Sequence, residues 1–299
     1  FLFLKVRNMY TEYLDLDTSN GRLVTVWPVP YEGTVSFGTG TANGPAAILR
    51  ASAEIETWNE AASQDLADLA HFKTLPAFEP PAAGPESVYM AMRETLRRDP
   101  SFRPARDFLL TLGGEHSVAL APIAAYAEAY PDVVVLQIDA HADLRPHFQG
   151  TPYSHACVMA RVRELGLPVA QIGIRSLSRG ESEMIHNADP GSLLTMFAHD
   201  LPAPAEAARR LRAFINDRPV YISFDADGLD PSVLPGTGTP EPGGLSLQWL
   251  EQLWDALWPG PELVGLDFCE VAPLSAAGVV SESVAVQAIN AIFVRALRH

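Results

Sequence analysis

The stretch Val133-Val134-Val135-Leu136-Gln137-Ile138-Asp139-Ala140-His141-Ala142-Asp143 decides the fold. Its first six residues are apolar except for Gln137, and most are β-branched. A strand with one wet face alternates apolar and polar residues; a nearly continuous run belongs to a strand buried on both faces. Such strands lie inside parallel sheets covered by helices. The run stops at Asp139, and ionisable side chains then follow at every second residue. In open α/β sheets the carboxyl ends of the strands form the edge where ligands bind.

Working outward, five more runs of this kind occur, at residues 23–27, 108–112, 169–174, 220–224 and 263–268. Helical patterns lie between them at 44–56, 117–130, 204–217, 246–257 and 281–297. Pro45 suits a first helical turn, and Ser246 and Ser281 are the expected N-caps of the last two helices. This alternation predicts a mostly parallel sheet with helices on both sides. No internal repeat is visible. Residues 76–84, PAFEPPAAG, read as a loop, and two longer Pro/Gly-rich loops span 144–153 and 228–244. Loops after strands are where this architecture carries function.

The 299 residues are 47% hydrophobic and 19% charged, enough apolar material for a core. The net charge of −15 argues against nucleic acid, whose phosphates need the opposite sign. Two cysteines, Cys157 and Cys269, make neither a disulfide framework nor a CxxC pair, so a reducing cytoplasm is expected. The apolar start at residues 1–6 is too short for a secretory segment, and no stretch is long enough to span a membrane.

Four clusters fall at predicted strand ends. The first is Gly113-Gly114-Glu115-His116-Ser117, where two glycines are expected to let the chain turn. The second is Asp139-Ala140-His141-Ala142-Asp143; a straight strand would spread its outer pair by about 13 Å, so convergence requires the backbone to curl past Asp139. The third is Asp225-Ala226-Asp227-Gly228, and the fourth is Asp267-Phe268-Cys269-Glu270. Alone, each is a weak signal. Together, two histidines and four aspartates exceed the needs of one ion, and so many carboxylates in one cleft repel each other. Two divalent cations remove that repulsion, and a carboxylate-rich donor set suits Mn²⁺ or a similar hard ion. Water shared by two such ions loses a proton near neutral pH.

These clusters, in this order, resemble the ureohydrolase family of arginases and agmatinases. The segments that carry the likeness are GGEHS (113–117), DAHAD (139–143), SFDADGLDPSVLPGTGTPEPGG (223–244) and GLDFCEV (265–271), with 29–33 and Gly44-Pro45 near the start. The resemblance implies a three-layer α/β/α sandwich around a mostly parallel sheet, one domain over 1–299, often assembled as a homo-oligomeric trimer or hexamer. It implies two Mn²⁺ ions, one held by His116, Asp139, Asp143 and Asp225, the other by Asp139, His141, Asp225 and Asp227. It assigns Glu270 to the substrate guanidinium and His155 to proton transfer; Asp143, expected beside the activated water, is the other candidate for the proton relay.

The expected substrate is a cationic guanidino compound, with agmatine cleaved to putrescine and urea as the leading case. Arginases hold their amino-acid head with Ser-Gly-Asn before the loop histidine; here 144–154 reads LRPHFQGTPYS. N1-aminopropylagmatine, guanidinobutyrate and arginine are the alternatives, and a guanidino acid would need Arg145 or Arg175. A ligand-binding relative without turnover and a dinuclear phosphoesterase are the competing classes. For single residues the plainer readings are a helix-start role for His155 and a structural arginine partner for Glu270.

Overall fold

The computed structural model describes residues 12–14, 19–99, 102–273 and 279–298. All six expected strands are present. In chain order the strands are β1 (Arg22–Val29), β2 (Trp58–Asn59), β3 (Gln64–Asp65), β4 (Ala70–Thr74), β5 (Phe108–Gly113), β6 (Val134–Ile138), β7 (Val169–Ile174), β8 (Leu193–Phe197), β9 (Val220–Asp225) and β10 (Leu263–Cys269). Eight form one sheet in the order β4-β1-β5-β10-β9-β6-β7-β8, with every pairing parallel. β2 and β3 make a separate antiparallel pair.

The helices are α1 (Gly44–Ser52), α2 (Leu66–Leu69), α3 (Pro85–Arg98), α4 (Leu120–Ala129), α5 (Val158–Glu164), α6 (Arg179–Asn187), α7 (Pro204–Ile215), α8 (Leu247–Leu257) and α9 (Val280–Ala296). They cover both faces of the sheet, and the strands divide their side chains between two cores. On β5, Phe108, Leu110 and Leu112 join the core with α1, α7, α8 and α9, whereas Leu109 joins the core with α3, α4 and α5. β6 splits in the same way, Leu136 and Ile138 against Val135. This two-sided burial is what the unalternating runs express. The architecture is the expected three-layer α/β/α sandwich.

Ser246 caps α8 as expected, its hydroxyl accepting the Trp249 N–H at 3.1 Å. Ser281 does not cap α9. The helix begins one residue earlier with Val279 at the cap, and the buried Ser281 hydroxyl accepts the Gly236 N–H at 2.8 Å, tying the long 228–244 loop to α9. The pattern at 117–130 divides into a 3-10 turn, His116–Ala119, and then α4.

The order of the strands positions the site. β5, β10, β9 and β6 are consecutive neighbours, and these four strands carry the four clusters at their carboxyl ends. One layer below, registered pairs place Thr111, Asp267, Ser223, Gln137, Gln171 and Thr195 side by side across six strands. A polar row therefore runs through the sheet beneath the clusters.

Candidate active site

The segment after β5 delivers the first candidate ligand, His116. Neither Gly113 nor Gly114 has the positive φ expected of a tight turn. They are needed for close approach: a Cβ on Gly114 would lie 2.1 Å from the Tyr31 carbonyl oxygen, and one on Gly113 would lie 2.4 Å from Cys269 Sγ. That approach lets the Gly114 carbonyl accept the Glu270 N–H at 2.8 Å, and the His116 N–H donate to Glu270 Oε1 at 2.6 Å. The first and fourth clusters are thereby stitched together.

Beyond β6 the backbone curls as required. Asp143 has φ 53° and Glu270 has φ 64°, left-handed conformations that cost a side-chain-bearing residue about 1–2 kcal/mol. The curl brings Asp143 Oδ2 within 2.9 Å of His116 Nδ1, with Asp139 Oδ2 at 3.3 Å and Asp225 Oδ2 at 3.4 Å. On the other side His141 Nδ1 lies 2.9 Å from Asp227 Oδ2 and 3.6 Å from Asp139 Oδ1. Two groups of donor atoms result, His116 with Asp139 and Asp225, and Asp139 with His141 and Asp227; within each, the atoms lie within 4.8 Å of one another. Asp139 belongs to both. The structure thus brings all six expected ligands together.

The hydrogen bonding around His116 tests whether a cation fits. Ser223 Oγ donates to Asp267 Oδ1 at 3.0 Å, so its oxygen is left to accept from His116 Nε2 at 2.9 Å. That fixes the proton of a neutral imidazole on Nε2 and turns the bare lone pair of Nδ1 toward three carboxylates. Lone pairs facing carboxylate oxygens repel, and a cation among them removes the conflict. Without one, protons must substitute. Burial, then Asp139, pushes the Asp143 carboxyl up to about 7. Burial, then Asp227 and Asp139, raises Asp225 well above the usual range. Burial opposes charge on His141, but Asp227 and Asp139 prevail and push it up to about 12. Groups this perturbed in one cleft mark a built site.

A cavity of about 220 Å³ opens at the cluster, lined by His116, His141, Asp143, Asp225 and Asp227 together with His155 and Glu270. Glu270 is 6% exposed, and burial followed by Glu115 raises its pKa well above the ordinary value. Among the described residues no arginine or lysine forms an ion pair with it. Arg175 is not available to the cavity. Its guanidinium donates to the carbonyls of Gly173, Asp227, Gly228, Leu229 and Glu241, holding the long loop to β7. Arg145 does line the cavity, with its charge engaged by Glu181 at 3.4 Å and laid over the Phe148 ring at 5.0 Å.

His155 opens a 3-10 turn (His155–Cys157) capped by Ser154, so its helix-start position is real. It also lines the cavity, which a purely structural residue would not need to do. Burial is the main reason its pKa is lowered, which keeps the ring neutral at neutral pH. Three neighbours escaped the sequence reading: Glu115, Thr34 and Ser36. Glu115 stands inside the GGEHS segment, and an acid directly before the candidate ligand His116 is the signal that the sequence offers.

A family model described as the arginase family matches residues 22–294. An N(1)-aminopropylagmatine ureohydrolase from Synechocystis sp. is 34% identical over 267 residues, covering 87% of this chain and 84% of that protein. An agmatinase from Pyrococcus horikoshii is 33% identical over 258 residues, with 82% of each chain covered. In fold, the chain is similar to the proclavaminate amidino hydrolase of Streptomyces clavuligerus, with a TM-score of 0.82 at 24% identity, covering 98% of this chain and 99% of that one.

Proposed function

The chain belongs to the arginase family, a family of hydrolases, and from that membership we propose that it releases urea from agmatine, leaving putrescine. Glu270 carries the reading: a buried carboxylate without a cationic partner among the described residues, lining the same cavity as His116, His141, Asp143, Asp225 and Asp227. A carboxylate held in that state favours a cation that enters beside it. A guanidinium is planar and presents paired N–H groups, which match the two carboxylate oxygens and aim the central carbon.

His116, Asp139, Asp143 and Asp225 would hold one metal ion and Asp139, His141, Asp225 and Asp227 the other. Mn²⁺ suits this carboxylate-rich set. When bound, the two ions supply Lewis-acid activation of water near neutral pH. The remaining work belongs to the chain's own side chains. Glu270 fixes the guanidinium. His155, neutral and lining the cavity, takes up the proton released as water attacks and passes it to the leaving amine, with Asp143 the second group placed to do so.

Agmatine lacks the carboxylate of arginine, and the 144–154 loop lacks the Ser-Gly-Asn that would hold one. Arg145, already engaged by Glu181, and Arg175, spent on backbone carbonyls, leave a guanidino acid poorly served. Relatives named N(1)-aminopropylagmatine ureohydrolase favour a second reading, an agmatine extended at its amine. The cavity lining includes Phe148, Ser176, Leu177 and Glu181 besides the acidic and histidine cluster, and the Glu181 carboxylate is of the sign that a second amine would need. No helix among the described residues is long and apolar enough to cross a membrane, and we place the enzyme in the cytoplasm as a trimer or hexamer of one domain. Urea release by manganese-loaded protein, measured side by side on agmatine, N1-aminopropylagmatine, guanidinobutyrate and arginine, tests the reading. Agmatine is expected to be cleaved fastest, and inactivity on all four would sink it.

A further inference from the structure

We propose that Glu115 and Thr34 are positioning residues that hold His155 with its proton on Nδ1, leaving Nε2 as the nitrogen that carries protons at the cavity. The inference rests on the proton-transfer role given to His155 above.

The argument is one of counting protons. Glu115 is fully buried at the end of β5, and its own N–H is fixed on the Tyr31 carbonyl at 2.8 Å. Its Oε2 accepts the N–H groups of Gly33 and Thr34, each at 2.6 Å. Its Oε1 accepts the Ser117 hydroxyl and lies 2.7 Å from Thr34 Oγ1. Donors from Gly33, Thr34 and Ser117 converge on both oxygens, and the single Thr34 hydroxyl proton is among them, pointing at Glu115. Thr34 Oγ1 then offers only lone pairs to everything else. One accepts the His155 N–H at 3.1 Å. The other faces His155 Nδ1, also at 3.1 Å. A bare Nδ1 there would set lone pair against lone pair, so Nδ1 must be the protonated nitrogen.

The opposite side of the ring is built differently. Nε2 lies 2.9 Å from Ser36 Oγ, and Ser36 lines the cavity. A free hydroxyl can donate to a bare Nε2 or accept from a protonated one. Nε2 can therefore gain and lose a proton without losing its hydrogen bond, while Nδ1 cannot. Phe148 meets the ring edge-on, centroids 5.6 Å apart at 84°, which resists rotation. Ser154 Oγ stands farther from Nδ1, at 3.4 Å against 3.1 Å for Thr34 Oγ1, too far for its hydroxyl to hold a bare Nδ1 against the Thr34 lone pair. In water a neutral histidine prefers the proton on Nε2, so the arrangement reverses the intrinsic tautomer and is open to measurement.

The test uses the full chain labelled with ¹⁵N-histidine and free of metal, with His155 assigned by its loss in His155→Gln. The neutral ring is expected to give a pyrrole-type Nδ1 and a pyridine-type Nε2. Thr34→Val removes the acceptor and should move the signals toward the ordinary Nε2–H form, while Thr34→Ser restores the wild-type pattern. In manganese-loaded enzyme Thr34→Val should lower kcat for agmatine by about tenfold or more with little change in KM, and Thr34→Ser should recover it. A wild-type spectrum with the proton on Nε2, or a Thr34→Val spectrum identical to wild type, overturns the proposal; the wild-type spectrum alone decides even if Thr34→Val fails to fold. The spectra do not depend on which guanidino compound is cleaved. Inactivity on every substrate with the Nδ1–H spectrum intact would reject the agmatine reading and leave this tautomer standing.

Discussion

Asp225 and Glu270 are both buried acids on the same cavity, yet they are expected to fail differently when truncated. Asp225 lies within ligand distance of His116 and Asp139, so Asp225→Ala should lose bound metal and urea release together. Among the described residues Glu270 is hydrogen-bonded to the cluster through the His116 backbone N–H and not through a candidate ligand atom, so Glu270→Ala should keep its ions and lose turnover by ~10²-fold or more. Metal analysis beside a urea assay separates the two, and metal loss in Glu270→Ala would remove Glu270 from its assigned role. At this scale the cluster that the structure draws together was legible because ionisable residues at strand ends break an apolar pattern, whereas the roles of its members came from the family resemblance. Thr34 and Ser36 were not legible. A hydroxyl in a loop carries no periodicity, and only the fold brings residue 34 against residue 155.

Among elements, the sheet does more than carry the ligands. Gln137 Nε2 donates to Asp139 Oδ2 at 2.6 Å, Gln171 Nε2 donates to Gln137 Oε1 at 2.6 Å, and Thr195 donates to Gln171 at 3.0 Å. This chain across β6, β7 and β8 orients the shared aspartate from below. Gln171→Leu would strand the buried Gln137 carbonyl and is expected to cost about 1–3 kcal/mol in denaturant unfolding, with weaker metal retention as its signature; unchanged stability and metal content would contradict the account. The interior strands could be read from their apolar runs, but these interior polar residues looked like mere interruptions until register aligned them. The edge strands β4 and β8 gave weaker signals, because a strand with one neighbour mixes exposed and buried positions, as buried Ala70 and exposed Lys73 do in β4.

The long loop after β9 has its own clasp. Asp230 accepts from the Ser232 hydroxyl and N–H and from the N–H groups of Gly244 and Gly243, and these bonds hold its pKa down to about 2. A carboxylate lowered on folding stabilises fully above its unfolded value of about 3.9 and loses that contribution as pH falls toward 2. Amide exchange across residues 231–244 should therefore stay constant from pH 7 to about 4, after correction for intrinsic rates, and accelerate below that. Asp230→Asn should show the faster exchange at every pH. A loop equally protected in wild type and variant would mean the clasp is held elsewhere.

For the molecule as a whole, the fold class was legible because burial on two faces leaves a mark on every central strand. The strand order was not. Nothing local states that β10, last in the sequence, lies between β5 and β9, and that insertion is what brings Glu270 to His116. The same arrangement concentrates negative charge at one sheet edge in a chain already at −15. Folding that edge shut without counter-charge forces protons onto Asp143 and Asp225, as their raised pKa values express. The central claim is that a pair of cations takes the place of those protons. Crystals of manganese-loaded protein, measured at the manganese absorption edge, test it most directly. The account predicts two anomalous peaks about 3.5–4 Å apart, both within bonding distance of Asp139, with His116 on one and His141 on the other. A single peak, or ions bound away from these side chains, would contradict it.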